Sequence, residues 1–506
     1  MNKRLIAGVM LLSASLLTGG EMKDIVTLES PLMPLFRGRK SDTLTVVLAP
    51  WQDKLTVQCT MEENTTLFAD GEAIEGSQLV LNPPPGITDH VLKAGQDGKP
   101  YSLRIKRYLP TPSWQLVNHQ APFAPRDSAG ELYFNNKLWI LGGYIPKVIP
   151  DIWCSADGGV TWEQKPDLPN PTGINIPVEY VFENAMWIFG EGNPQKLFRS
   201  EDGESWTVVN EAPPMGRRYA ASGAVFNGYM WYAGGGKNDV WRSKDGKEWE
   251  CVTEHAEWSP RQMFGGFVAH NGYLWVLGGG KTTYHPFTAT SDIWRSKDGV
   301  HWECVNEAAP WEGRIWYSGA VFKNRLWLIG GYQCEPSMRN MTDAWYSYDG
   351  VTWHEFKGAP EFRKRYDVPD QPDPQPEVLL NPHWSSRHET SVIATENKLF
   401  VIAGNNWPLR NDVWSLEIPG LCFVTSPPLD LFSGMRYYYA AHADFHDDGS
   451  PLQYSYQGPD FLSINPATGA LCGNVGAPGR YPITITATAA NGETATQSFE
   501  IVVGGL

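Results

Sequence analysis

Cysteine is sparse in this chain and is never paired at metal-ligand spacing. The seven cysteines of the 506 residues are Cys59, Cys154, Cys251, Cys304, Cys334, Cys422 and Cys472, with no CxxC among them. That excludes the common structural zinc sites. It leaves the bland expectation of small buried side chains, with Cys422 and Cys472 as the one pair to consider for a bridge. Positive charge is also short: 41 Lys and Arg stand against 56 Asp and Glu, a net charge of −15. A chain of this balance is not built for nucleic acid or for an anionic membrane surface. Long apolar runs are missing too. Only Leu5–Leu17, behind Lys3 and Arg4, is continuously apolar in character, and it is too short to span a bilayer. Its charged start, apolar middle and small-residue end read as a secretory signal peptide over residues 1–20. Leu17-Thr18-Gly19 precedes Gly20 where a lipidated Cys would stand, so an unlipidated exported protein is expected.

Tryptophan, glycine and proline are plentiful, at 22, 50 and 39 residues. Many short strands joined by tight turns would use that composition. A Ser-x-Asp-Gly…Trp pattern recurs five times, starting at Ser155, Ser200, Ser243, Ser296 and Ser347 and reaching Trp162, Trp206, Trp249, Trp302 and Trp353. Six apolar runs are interleaved with it: LWILGG from Leu138, MWIFGEG from Met186, MWYAGG from Met230, LWVLGG from Leu274, LWLIGG from Leu326 and LFVIAG from Leu399. Each unit supplies four strands, and self-similarity at this period predicts an all-β propeller of six blades. The sixth unit lacks its Trp-initiated outer strand. SWQLVN, from Ser113, matches SWTVVN, from Ser205, and is expected to supply that strand from the N-terminal side, closing the ring.

These units resemble kelch repeats over roughly residues 113–420, and the Asp-Gly turns resemble the sialidase Asp box. Both resemblances imply a fold and leave function open. The Asp and Trp of the box are expected to be structural, the carboxylate capping the turn and the indole packing in the blade. Residues 22–110, ending in DGKPYSLRIKR, resemble a cadherin-like β-sandwich, and residues 423–506 resemble a bacterial immunoglobulin-like module. Asp444, Asp447 and Asp448 read as solvated turn residues, since calcium needs more oxygens than are visible there.

Candidate site residues follow from position. Thirteen residues before the aromatic of each apolar run stand Arg126, Ile174, Arg218, Arg314 and Arg387, with Arg261 one residue out of step. Pseudosymmetry would gather the five arginines round the channel, where guanidinium groups suit carboxylate or sulfate ligands. Pairing to nearby acids is the competing role, and Asp127 and Glu389, next in sequence to an arginine or one removed, are the obvious salt-bridge partners. Tyr144, Tyr284, Tyr332 and Trp407, on loops after the Gly-Gly signals, and His388 and Glu389 complete the candidate ligand set. The insertion over 354–386, rich in proline, reads equally as a wall over the channel or as a solvated loop.

No cofactor or metal is expected: the copper-ligand pattern of galactose oxidase is not found. The chain also resembles bacterial sialic-acid mutarotases in blade number and export, while adding two sandwich domains. The resemblance implies a carbohydrate partner on the channel face, an acidic sugar first among them. An enzyme acting on such a sugar (mutarotase, epimerase or glycosidase) and a protein-binding propeller are the alternatives. The expected location is the periplasm, the cell surface or the medium.

Overall fold

The computed structural model describes residues 22–27, 32–34, 43–48, 52–282, 286–334, 337–356 and 384–504. The signal-like segment 1–20, Tyr284 and most of the 354–386 insertion lie outside the described residues. All regular structure among the described residues is β-strand. The chain divides into two compact units, one of residues 113–357 with 383–420, the other formed by the remainder.

The first unit is the propeller. Six four-stranded antiparallel sheets follow in chain order, and their innermost strands are Gly130–Phe134, Glu179–Phe182, Ala221–Phe226, Phe267–His270, Ser318–Phe322 and Ser391–Ala394. These strands touch one another in cyclic order, the last returning to the first. Trp114–Asn118 pairs antiparallel with Arg410–Glu417, Trp114 opposite Leu416, and so becomes the outer strand of the sixth blade. Closure by the N-terminal strand is the arrangement its match to SWTVVN predicted.

Local chemistry sets each blade. In five blades the first two strands join through a two-residue turn with both residues at positive φ: Asn135-Asn136, Glu183-Asn184, Asn227-Gly228, Asn271-Gly272 and Lys323-Asn324. That is the turn whose twist matches antiparallel strands. The box serine and aspartate cap the outer turn: Gly246 N–H donates to Ser243 Oγ at 2.8 Å, and Lys247 and Glu248 N–H donate to Asp245 Oδ1 at 2.9 and 3.0 Å. The box glycine is needed for close approach. A Cβ on Gly299 would meet the Trp231 ring of the preceding blade at 2.2 Å, at a φ of +76°.

The second unit contains two sandwiches. In the N-terminal one, a three-stranded and a six-stranded sheet enclose Val46, Leu55, Val57, Leu92, Leu103 and Ile105. In the C-terminal one, a four-stranded sheet faces Arg436–Ala440, Ala470–Asn474 and Leu462–Ile464. The two sandwiches pack on each other. Ile87 and Leu109 belong to the C-terminal core, and Lys106 pairs with Asp430. No disulfide joins any of the seven cysteines, all of which are among the described residues. The bridge considered for Cys422 and Cys472 is therefore not formed. Asp448 accepts the N–H of Ser450, as a turn residue does, whereas Asp444 is not the solvated turn residue expected: it is buried in the strand Ala443–Asp444 and accepts the N–H of Phe445.

Candidate functional site

The five arginines are gathered as their spacing requires, but they do not face a ligand. Each is 7% exposed or less. Each forms a bidentate pair with an aspartate in, or immediately before, the third strand of its own blade: Arg126–Asp151, Arg218–Asp239, Arg261–Asp292, Arg314–Asp343 and Arg387–Asp412, at 2.5–2.9 Å. Nη1 of each also donates to a carbonyl of the Gly-Gly region, such as Gly330 O at 3.0 Å from Arg314. The aspartate accepts the indole N–H of a Trp two residues on, as Trp345 gives to Asp343 at 2.7 Å. Burial alone would raise the Asp343 carboxyl; the Arg314 guanidinium and the Trp345 indole outweigh it and hold it below the usual carboxylate range. Blade two confirms that this is one device. Where the other blades have Arg, Asp and Trp it has Ile174, Lys196 and Phe198, all three replaced together. The expectation that these arginines bind an anionic ligand is therefore corrected: their donors are consumed inside the blades.

Two residues after each arginine position, the chain takes a left-handed turn. Ser128, Ile176, Ala220, Phe264, Trp316 and Glu389, one per blade, all have φ between +40° and +58°. That conformation is uncommon for residues with a side chain and clusters at functional sites. Backbone bonds stitch this ring across blade boundaries. Ile176 N–H donates to Ser128 O, Met263 to Ala220 O, Glu389 to Trp316 O, and Ser128 to Glu389 O, at 2.7–3.2 Å. Below it lies a cavity of about 320 Å³ lined by Glu131, Glu179, Glu389, Trp316, Phe264 and Ser318, among others.

At the junction of blades six and one the polar groups converge. Ser128 Oγ donates to Asp127 Oδ1 at 2.9 Å, and Asn405 Nδ2 donates to Asp127 Oδ2 at 2.7 Å. Tyr219 and Ser128 hydrogen-bond to Glu389. His388 stacks on Trp316 with centroids 5.1 Å apart, meets the edge of Tyr332, and lies 3.8 Å from Glu389 through Nε2. Asn340 Nδ2 donates to Asn405 O at 3.1 Å, which turns Asn340 Oδ1 toward His388 Nδ1 at 2.6 Å. The Nδ1 of His388 therefore carries the proton, and Nε2, 3.8 Å from Glu389, keeps its lone pair.

Burial pushes the Glu389 carboxyl up to about 8, and the Asp127 charge adds to the effect. Burial raises Asp127 as well, against its bonds to Ser128 and Asn405. The same burial holds His388 down to about 4. Deeper in the channel, burial takes Glu131 up to about 8, and burial plus the Glu131 charge raises Glu179 further. At neutral pH the site thus presents a protonated carboxyl beside a neutral imidazole. Glu131 and Glu179 also have a holding role: Glu131 Oε1 accepts Val392 N–H at 3.4 Å, and Glu179 accepts Glu131 N–H. Glu179 Oε2 has no hydrogen-bond partner among the described residues.

Of the residues chosen from sequence, His388, Glu389 and Tyr332 come together here. Tyr144, 40% exposed, is tied to Asp127 by backbone bonds in both directions. Trp407 stands 74% exposed, two residues past Asn405. Asp127 and Glu389 are not the salt-bridge partners of Arg126 and Arg387. Glu131 and Glu179 went unnoticed, though blade alignment could have found them. They stand five residues past the arginine position, where other blades have Gly223, Phe267, Gly319 and Val392.

A family model described as "Putative Ig domain" (He_PIG) matches residues 427–504, so the C-terminal sandwich is immunoglobulin-like. No curated protein matches the chain. Among solved structures, that of YjhT is similar, with 14% identity, a TM-score of 0.40, and coverage of 61% of this chain and 96% of that one. At that level the likeness speaks to neither ligand nor reaction. No helix among the described residues is long and apolar enough to cross a membrane.

Proposed function

We propose that the propeller binds a carbohydrate at the channel mouth, and that the sugar is uncharged rather than acidic. The observation that carries this reading is the set of polar groups that converge beside the paired arginines: carboxyl, amide, hydroxyl and imidazole, framed by Trp316, Tyr332 and Phe264. A protonated Glu389 donates to a sugar oxygen and Asp127 accepts from a sugar hydroxyl, while an anionic ligand would meet carboxyls instead of guanidinium. A concave site with a few convergent polar groups, perturbed acids and an aromatic wall is the form small-molecule sites take. The signal-like segment 1–20 supports export, which the mass of the mature chain, starting near Glu21, would test.

The test is a glycan array followed by calorimetry on the best neutral ligand. Glu389→Ala is expected to weaken binding by about 10-fold or more, the loss of one or two buried hydrogen bonds. Preference for acidic glycans, with affinity falling steeply as salt is added, would overturn the reading.

A second reading is favoured by one observation, the His388–Glu389 couple. With a base lone pair and a protonated carboxyl 3.8 Å apart, His388 Nε2 can take the proton of one sugar oxygen while Glu389 gives its own to another. Opening a cyclic sugar needs both: the anomeric hydroxyl loses its proton as the ring oxygen gains one. If the propeller is a mutarotase of this kind, His388→Ala lowers the rate of anomer exchange, followed by NMR, about 10²–10⁴-fold. Binding without any acceleration of exchange would leave only the first reading.

A further inference from the structure

Tyr144 and Trp407 are large aromatic side chains exposed beside the candidate site, at 40% and 74%. They belong to blades one and six, the pair of blades whose junction holds Asp127 and Glu389. Neither sits on a loose loop. Tyr144 N–H donates to Asp127 O at 2.8 Å, and Asp127 N–H returns the bond to Tyr144 O at 3.1 Å. Asn405 repeats the pattern with His388, at 2.8 and 3.2 Å, and its Oδ1 accepts Trp407 N–H at 3.3 Å. The Nδ2 of the same Asn405 reaches Asp127 at 2.7 Å. One side chain thus braces both the acid of the inner site and the turn that presents Trp407.

An indole held in water by a braced turn keeps its apolar face uncovered at a standing cost, and it suffers little entropy loss when something covers it. The flat C–H face of a pyranose is such a cover, whereas its hydroxyl edge stays wet. Charged partners fit poorly: the inner site beside the ring is acid-lined yet largely protonated.

We infer that Trp407, with Tyr144, forms an outer stacking subsite, so that the ligand is an oligosaccharide. One ring sits at the channel mouth against Glu389 and the next lies outward over the junction of blades six and one. This rests on the carbohydrate reading above and adds chain length and direction to it. The propeller then recognises the end of a glycan chain rather than a free monosaccharide.

The experiment measures affinity of the full-length protein for cello-, xylo- and chito-oligosaccharides of one to six units. In the wild type, affinity for the binding series rises at least tenfold from the monosaccharide to the tetrasaccharide. In Trp407→Ala that gain falls below threefold, and Trp407→Phe restores most of it. A gain equal in wild type and Trp407→Ala overturns the subsite, as does affinity that ignores chain length. Glu389→Ala separates the two claims. If it weakens every chain length alike, the inner site stands whatever Trp407 does. If it changes none of them while ligands still bind, the inner site fails and the subsite with it. Absence of binding in all three series also overturns both.

Discussion

Arg314→Met is expected to destabilise the propeller by about 3–5 kcal/mol, the cost of leaving one member of a buried ion pair without the other. Arg314 is 1% exposed, its partner Asp343 is largely covered, and the pair shares bonds with Gly330 O and Trp345. Removing the guanidinium strands a carboxylate that can neither reach water freely nor find a second cation. Blade two shows the remedy. Arg314→Ile combined with Asp343→Lys and Trp345→Phe copies its Ile174, Lys196 and Phe198, and should recover more than half of the loss. The unfolding midpoint in urea, followed by tryptophan fluorescence, reads both effects. A single variant costing under about 1 kcal/mol would mean that the pair is solvated in solution and that the arginines are available to ligand after all.

The repeat pattern made the architecture legible because every blade must solve the same problem. Its apolar run, hairpin turn and capped Asp-Gly turn are local, and a local signal repeated six times is hard to misread. Even the borrowed strand could be found, since Trp114 begins a segment matching the outer strands that follow the other boxes. The site was harder. Asp127 and Glu389 looked like partners of Arg126 and Arg387 because they stand next to them or one removed in the chain. The residue following an arginine turns its side chain away from it, and the left-handed turn at Glu389 swings that carboxyl into the channel. The true partners, Asp151 and Asp412, are 25 residues on, across the sheet in the third strand.

Glu131 and Glu179 stayed hidden for a different reason. A glutamate within a short strand reads as a solvent-facing residue, and nothing local says that the sixth strand of a ring will close over it. Only the alignment of equivalent positions tells, where Gly223 and Gly319 reveal how little room the axis leaves. A Cβ on Gly319 would lie 2.4 Å from Gly265 O. What fills the channel beside such glycines is decided by ring closure, and so is the acid character of the site.

That character gives the second large effect: propeller stability should fall as pH rises between about 6.5 and 8. Glu389 and Glu131, raised to about 8, keep their protons in the fold across this window, while the unfolded chain, with carboxyls near 4.5, has released them. The folded state binds more protons, so stability declines with pH and levels off above 8. Two other groups act elsewhere. His388, held down to about 4, is neutral in the fold and charges on unfolding below 6.5, so it weakens the fold only on the acid side. Asp239, Asp292, Asp343 and Asp412, depressed in the fold by their arginine partners against the effect of burial, lose their contribution below about 4. Between 6.5 and 8 neither His388 nor the depressed aspartates oppose the raised glutamates. One proton held on folding is worth about 1.4 kcal/mol per pH unit, so roughly 2 kcal/mol across the window for each of the two glutamates. Glu389→Gln keeps the shape and removes the titration. It should match the wild type near pH 5, exceed it at pH 8.5, and flatten part of the slope. Thermal unfolding at closely spaced pH values decides the matter. A wild-type curve flat from 6.5 to 8 would mean that these carboxyls are ionised and hydrated in the channel, and that the donor assigned to Glu389 does not exist at neutral pH.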